Sequence, residues 1–507
     1  MGMLQGITEP EFREGADLTI LNTYYKRATF EDGKKVMDDF LVMVFIDNTT
    51  GLKHHKIKFK PTYIFYKLND DEPNVNYNRL FIEREKVHPV EVPFSDLEYE
   101  LAKETDNVDF FKANIRAGNR MENRKLHTDP NIFFSDSDIE DHYRFRFAQT
   151  YQNNIPKIKK GFYDIEVDGI GAEEDFVKMG ECPINCVSFM DEATDNVYTF
   201  ILRNKNNPLI EKFEKKVISG ELGQKEIREF VINSVGGMKK AKKFNLLNTK
   251  YNLLFYDYEI DLLRELFAII HKCSPDFAEG WNSGGFDNPY IIERIKVLGY
   301  DPADIMCDQT WDLKVVANFI DERHKNELAE RGDYTFISGN TVFIDQMIQY
   351  ASRRKSKIGS YKSTKLDDIG ELEAGVNKLD YSHITTSVVE LPYLDFETFV
   401  LYNIMDVIVQ KCIETKTNDL EYIFAKCVVN NTTYKKGHRQ TVYLINRMAA
   451  DWFKKGYIIG NNINKWNGNA PKYQGALVHD PAKTSPKYRM HIDGRPIWIV
   501  DNLIDFD

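Results

Sequence analysis

Residues 159–167 read KKGFYDIEV: a run of β-type residues broken by two acids, Asp164 and Glu166. Side chains alternate along a strand, so residues two apart leave the same face. Two carboxylates side by side on an otherwise apolar strand repel one another unless a cation or strong donors neutralise them. A divalent metal is the natural neutraliser, although a solvent-facing acid pair has the same spacing. Beyond this strand the pattern predicts a hairpin, NCVSFMD (185–191) and NVYTFIL (196–202), joined by the turn EATD. An amphipathic helix follows in DYEIDLLRELFAIIHK (257–272), then a strand, PDFAEGWN (275–282), a Gly-rich loop and a helix, PYIIERIKVLGY (289–300). Strands and helices alternating around one sheet give an α/β fold.

The chain has 507 residues and a mass of 59.1 kDa, which suits about two to four domains. No apolar stretch reaches the roughly 18–20 residues that span a bilayer. The start, MGMLQGITEPEF, lacks a basic-then-apolar export signal, so the expected location is cytoplasmic, with no membrane association. Of the six cysteines only Cys182 and Cys186 are close-spaced. Without a second pair or nearby histidines they read as buried free thiols rather than a zinc site. A net charge of −11 argues against a simple nucleic-acid coat, which works by surplus Lys and Arg. It still allows a basic groove on an acidic body, and carboxylates gathered around metals add to the negative total.

Residues 1–155 read as an amino-terminal, mainly β domain with a helix near Phe94 to Asp106, and residues 156–415 as the α/β domain. Within the latter, 203–248 form a polar, Lys-rich excursion with helices near 208–216 and 225–235, closed by Lys239, Lys240, Lys242 and Lys243. Residues 416–507 read as a helical linker followed by β-type segments near Tyr473 and again at 497–506. Two more basic groups, Arg353, Arg354, Lys355 and Lys357, then Lys435, Lys436, His438 and Arg439, are candidates for phosphate contact or for solvated surface.

Two further acids stand in chemically suggestive places. Asp287 falls where a Gly-Gly loop meets a helix that has Pro289 in its first turn. An acid there is commonly a cap, but Asn288 is available for that role, which would free Asp287 to face the strand ends. Tyr402 and Asp406 are four apart on a helix and share a face. Asp406 lies among Ile404, Met405, Val407 and Ile408, where a half-buried acid needs a partner.

The order of these motifs, Asp-x-Glu on a strand, Asn-x-x-x-Phe-Asp at 282–287, then Tyr-x-x-x-Asp on a helix, with the acids 123 and 119 residues apart, resembles the proofreading exonuclease of family B DNA polymerases. The likeness runs from about residue 127 to the end of the chain and is closest to the tailed-phage type. It implies an RNase H-like 3′–5′ exonuclease domain of the DEDDy class. Asp164, Glu166, Asp287 and Asp406 would hold two Mg²⁺, with Mn²⁺ as an alternative, and Tyr402 would position the attacking water. Asn282 and Phe286 would hold single-stranded bases. In the same family the segment 323–345 often carries a β-hairpin that helps part primer from template, here with Ser338-Gly339-Asn340 as its turn.

Family B polymerases also place a Tyr-x-Gly-Gly/Ala element and then the first palm aspartate after the exonuclease. Tyr473-Gln474-Gly475-Ala476 and Asn502-Leu503-Ile504-Asp505-Phe506-Asp507 match these. The resemblance thus makes Tyr473 and Gly475 DNA contacts and Asp507 a metal ligand of an incomplete polymerase site. The expected partners are DNA, as primer-template and as a single-stranded 3′ end, a carboxy-terminal polymerase segment or chain, and a sliding clamp. The chain by itself is expected to excise but not to polymerise. A non-catalytic DNA-binding fragment and a free-standing DEDDy nuclease are the rival readings.

Overall fold

The computed structural model describes residues 12–461, except 33, 73–80, 171–177, 325–326, 360 and 362, together with the strand pair Arg489–Ile492 and Arg495–Trp498. Tyr473, Gly475 and Asp507 therefore lie outside the described residues. Among those residues, no helix is long and apolar enough to cross a membrane.

The central sheet is built from β1 (Lys160–Val167), β2 (Ile184–Asp191), β3 (Asn196–Leu202), β4 (Lys250–Tyr256), β5 (Phe277–Gly280), β6 (Val316–Phe319), β7 (Tyr334–Ile337) and β8 (Val342–Asp345). Its order is β4-β3-β2-β1-β5-β8-β7-β6. The expected hairpin β2–β3 is present, with Asp191 opposite Asn196 across the turn. β1 pairs antiparallel with β2 and parallel with β5, which makes the sheet mixed.

Helices cover both faces. α1 (Pro208–Ser219), α2 (Gln224–Ser234) and α3 (Met238–Lys243) form the excursion; α4 (Glu259–Cys273), α5 (Asp287–Val297), α6 (Leu366–Ala374) and α7 (Phe396–Thr417) complete the set used below. Alternation along β1 divides the core. Tyr163 and Ile165 join Leu262, Leu266, Ile291 and Ile295 of α4 and α5 on one face. Phe162 joins Cys186, Met190, Ile404 and Ile408 on the other, beneath α7. Each such buried aliphatic side chain contributes roughly 1.5–3 kcal/mol. Because Asp164 and Glu166 share the parity of Phe162, they too face α7.

Amino-terminal to this layer, Leu18–Lys26, Phe40–Asp47 and Lys53–Phe59 form an antiparallel sheet. Its middle strand, FLVMVFID, is apolar on both faces because it is buried on both. Leu41, Met43 and Phe45 pack into the amino-terminal core, while Phe40, Val42 and Val44 pack with Phe277, Trp311 and Phe336 of the α/β layer. Strands continue to Pro93, and helices Leu97–Glu104, Val108–Arg116 and Ile139–Thr150 follow. Past α7 the chain returns to this region, where Tyr457–Ile459 pairs with Phe81–Glu83.

One expectation is met and one changes here. Residues 338–341 join β7 to β8 as the expected antiparallel hairpin, and both of its strands are wholly buried members of the central sheet. Their side chains Phe336, Ile337, Phe343 and Ile344 are core residues, and exposing them would forfeit that burial. Most of the basic groups at 353–357 and 435–439 are engaged internally. Arg353 and Arg354 lie 2.6 and 2.7 Å from Asp419, and Lys355 pairs with Glu330. Lys435 lies 2.6 Å from Glu140, and Lys436 lies 2.9 and 3.1 Å from Asp138 and Asp141.

Candidate active site

Asp164 and Glu166 project from β1 toward α7, whose Asp406 faces them. One carboxylate oxygen from each of the three lies within 4.8 Å of the others. α7 can present an acid there because it is fixed on all sides. Asp395 caps its start by accepting from Thr398 N at 3.1 Å, the helix runs for 22 residues, and Asn418 ends it in the left-handed conformation. Almost all of α7 is buried, and a polar line at Asn403, Asp406 and Gln410 runs along the side nearest β1. Asn403 Nδ2 donates to Asp164 Oδ2 at 3.0 Å, and Gln410 Nε2 to the Tyr163 carbonyl at 3.3 Å.

Asp287 is not in that trio, but it stands beside it. Its Oδ1 accepts the amide of Ile165, between the two acids of β1, at 3.2 Å. The loop before it is tight. Asn282 has φ +64 and its carbonyl accepts from both Gly285 N and Phe286 N. A Cβ at Gly285 would fall 2.6 Å from Asn282 Oδ1, so any larger residue would push this folded-back side chain aside. Asn288 is no helix cap. It accepts from Tyr163 Oη at 2.8 Å and donates to Thr335 at 3.0 Å, a buried bridge between β1, α5 and β7. Phe286 is half-buried against Tyr290, with ring centres 5.3 Å apart.

The acids hold their protons strongly. Burial, then the neighbouring Asp406, Asp287 and Glu166, pushes Asp164 well above the usual carboxylate range. Burial and Asp406 push Glu166 up to about 8. Burial above all takes Asp287 to about 7, and Asp406 to about 6 against the pull of Lys378. Crowded buried acids of this kind are what a bound cation would relieve.

Lys378 is the cation that the sequence reading missed. Its Nζ lies 2.6 Å from Asp406 Oδ2 and 4.6 Å from the centre of the Tyr402 ring. It arrives on the irregular segment that follows α6, where its amide donates to Asp367 Oδ1 at 2.7 Å. A lone lysine in VNKLDY gives no periodic signal, so only the fold could place it. Tyr402 is buried beside it, edge-on to Tyr381 at 5.4 Å, its hydroxyl held protonated by burial and by Asp406.

The arrangement fits a divalent cation on two counts. The donors are hard carboxylate oxygens, and Asp406 Oδ1 is buried without a hydrogen-bond partner. Asp164, Glu166 and Asp406 are the residues that could hold it.

The model of the DNA polymerase family B exonuclease domain matches residues 112–369, which takes in Asp164, Glu166 and Asp287 but stops before Tyr402 and Asp406. A DNA-directed DNA polymerase of Escherichia phage RB69 is 24% identical over 364 residues, 68% of this chain and 35% of that protein. One of Enterobacteria phage T4 is 27% identical over 138 residues, 27% of this chain and 13% of that protein. The chain thus matches about a third or less of the length of these relatives.

Proposed function

The chain belongs to the family B DNA polymerases through their exonuclease domain, and from that premise we propose that it removes nucleotides from the 3′ end of DNA as the proofreading portion of such a polymerase. The observation that carries this reading is the convergence of Asp164, Glu166 and Asp406 within 4.8 Å. The mixed sheet between helices suits an RNase H-like domain, and the order of acids with Tyr402 suits its DEDDy class.

Cleaving a phosphodiester requires an activated water and stabilisation of both the attacking and the leaving oxygen. A pair of divalent ions, Mg²⁺ by preference for hard oxygen donors, supplies these when bound. In this proposal Asp164, Glu166 and Asp406 are ligands, and Asp287, anchored to the Ile165 amide, completes the set from the loop side. The Tyr402 hydroxyl orients the water. Lys378 fixes Asp406 and places a positive charge beside the scissile phosphate, where negative charge builds. Asn403 keeps the Asp164 carboxylate turned toward the site. Asn282 and Phe286 line the approach for an unpaired 3′ end, read by stacking rather than by sequence. DNA is the partner proposed. Nucleotide addition is a property of the phage polymerases, and here it would belong to a longer protein.

The test is a gel assay on a 5′-labelled primer with a mismatched 3′ end, annealed to template, with Mg²⁺ and all four nucleotides. Shortened products are expected. An unchanged primer with retained DNA binding would replace this reading with that of a binding fragment, and extended products would show that this chain polymerises.

A further inference from the structure

The net charge of the chain is −11, yet no acidic residue occurs between Glu229 and Asp257. That stretch contains α3, Met238–Lys243, on which Lys239, Lys242 and Lys243 are exposed. Their spacing of three and four places them on one face. Most of the other basic groups singled out in the sequence proved to be tied to acids: Arg353 and Arg354 to Asp419, Lys435 to Glu140, and Lys436 to Asp138 and Asp141. Among the described residues, Lys239, Lys242 and Lys243 have no acid partner at all; Lys243 only lies over the Phe244 ring, 5.0 Å from its centre. Three like charges on two turns repel, and an acidic protein has ample carboxylate with which to pair them. Their unpaired state is informative for that reason.

The place of α3 links this face to the chemistry. The fourth lysine, Lys240, turns inward and donates to the carbonyl of Gly375. Gly375 ends α6 in the left-handed conformation at φ +65 and begins the segment that delivers Lys378 to Asp406. From Gly375 to Lys378 is three residues, at most about 10 Å of chain. The loop after α3 is held to the metal-site helix as well, through buried Lys411, which donates to the Asn245 carbonyl at 3.4 Å. α3 is therefore fastened at two points to the elements that carry Lys378 and Asp406.

We infer that the Lys239–Lys242–Lys243 face is a contact surface for the phosphate backbone of a nucleic-acid strand engaged at the carboxylate site, and that the 203–248 excursion serves to present it. This inference rests on the nuclease reading. Charge complementarity selects a polyanion, and closeness to the site selects the substrate strand over an acidic protein. Contacts of this type position a strand without reading its bases.

The experiment compares the parent with the triple variant Lys239→Glu, Lys242→Glu, Lys243→Glu, and with a control reversing three exposed lysines outside the excursion, Lys112, Lys272 and Lys314, to Glu. Two substrates separate the claims. A thymidine 5′-phosphate p-nitrophenyl ester needs only the carboxylate site, whereas a labelled 20-nucleotide single strand can also reach the lysine face. The expected result is unchanged ester turnover and thermal midpoint in the α3 variant, with at least tenfold weaker strand binding. The slope of log affinity against log salt should also fall by about two, as the loss of three phosphate contacts dictates at roughly 0.7 per contact. Equal strand affinity and salt slope in parent and α3 variant, with ester turnover intact, would overturn the inference and leave the nuclease reading standing. An equal loss of binding in the control would reduce it to general electrostatics and overturn it too. Absence of ester and strand cleavage by the parent would strike the nuclease reading itself.

Discussion

Lys378 Nζ, on the segment that follows α6, and Asp406 Oδ2, on α7, are 2.6 Å apart in the carboxylate cluster. Among the described residues this is the closest cation to the trio. Asp406 is buried and its other oxygen has no hydrogen-bond partner, so the lysine is its main compensation. Lys378→Met should destabilise the metal-free protein by about 3 kcal/mol at pH 7, the scale of breaking a buried pair. It should also lower excision about a hundredfold. Urea unfolding with chelator and single-turnover cleavage measure the two effects. Loss of stability with full activity would reduce Lys378 to a structural role.

The pH dependence of the metal-free protein follows from the same crowd of acids. Glu166, Asp287 and Asp406 are held near 8, 7 and 6, above the ordinary carboxylate values they regain on unfolding. The folded state therefore binds more protons, and its stability is greatest below the ordinary carboxylate range and declines as pH rises through about 6 to 8. The thermal midpoint in chelator should fall between pH 5 and 9, and Asp164→Ala with Glu166→Ala should flatten that fall while abolishing excision. Added Mg²⁺ should raise the parent midpoint more at pH 8 than at pH 5.5, since ligands must shed protons to bind. A midpoint independent of pH and metal would contradict the cluster.

Glu279 provides a separate test away from the site. It is fully buried on β5, and neither carboxylate oxygen has a hydrogen-bond partner. Burial first, then Glu414, hold its proton well above the usual range, with Lys160 opposing. Folding thus favours the protonated form, and unfolding gains ionisation once pH exceeds the ordinary Glu value. Glu279→Gln should raise the thermal midpoint at pH 8 and leave it nearly unchanged at pH 4. A lower midpoint at pH 8 would mean that the ionised carboxylate is needed.

Lys53 joins the amino-terminal sheet to the α/β layer. Its ammonium lies 2.9 Å from Asp276 Oδ1, both side chains being buried, and donates to the carbonyls of Ser274 and Pro275 at 2.6 and 2.7 Å. Lys53→Met should cost about 3 kcal/mol and open the 274–276 turn to proteolysis without touching the carboxylates. Denaturant unfolding and limited digestion would show it; an unaltered digest and midpoint would remove Lys53 as a latch.

Periodicity made part of the site legible before any packing was known. The alternation of KKGFYDIEV put Asp164 and Glu166 on one face, and the helical spacing of Tyr402 and Asp406 put those two on one side of α7, because local backbone geometry fixes where neighbouring side chains point. The β2–β3 hairpin was readable for the same reason. Packing of the layers settled which side chains meet across tens to hundreds of residues. It brought Lys378 to Asp406, Asn403 to Asp164 and the Ile165 amide to Asp287; it buried the 334–345 strands, and it bound Lys435 and Lys436 to the helix at Ile139–Thr150. A charge on a sequence carries no mark of whether it will face water, a partner acid or a phosphate. That is settled by the desolvation each charge suffers once the layers pack, and by which opposite charge the packing leaves within reach.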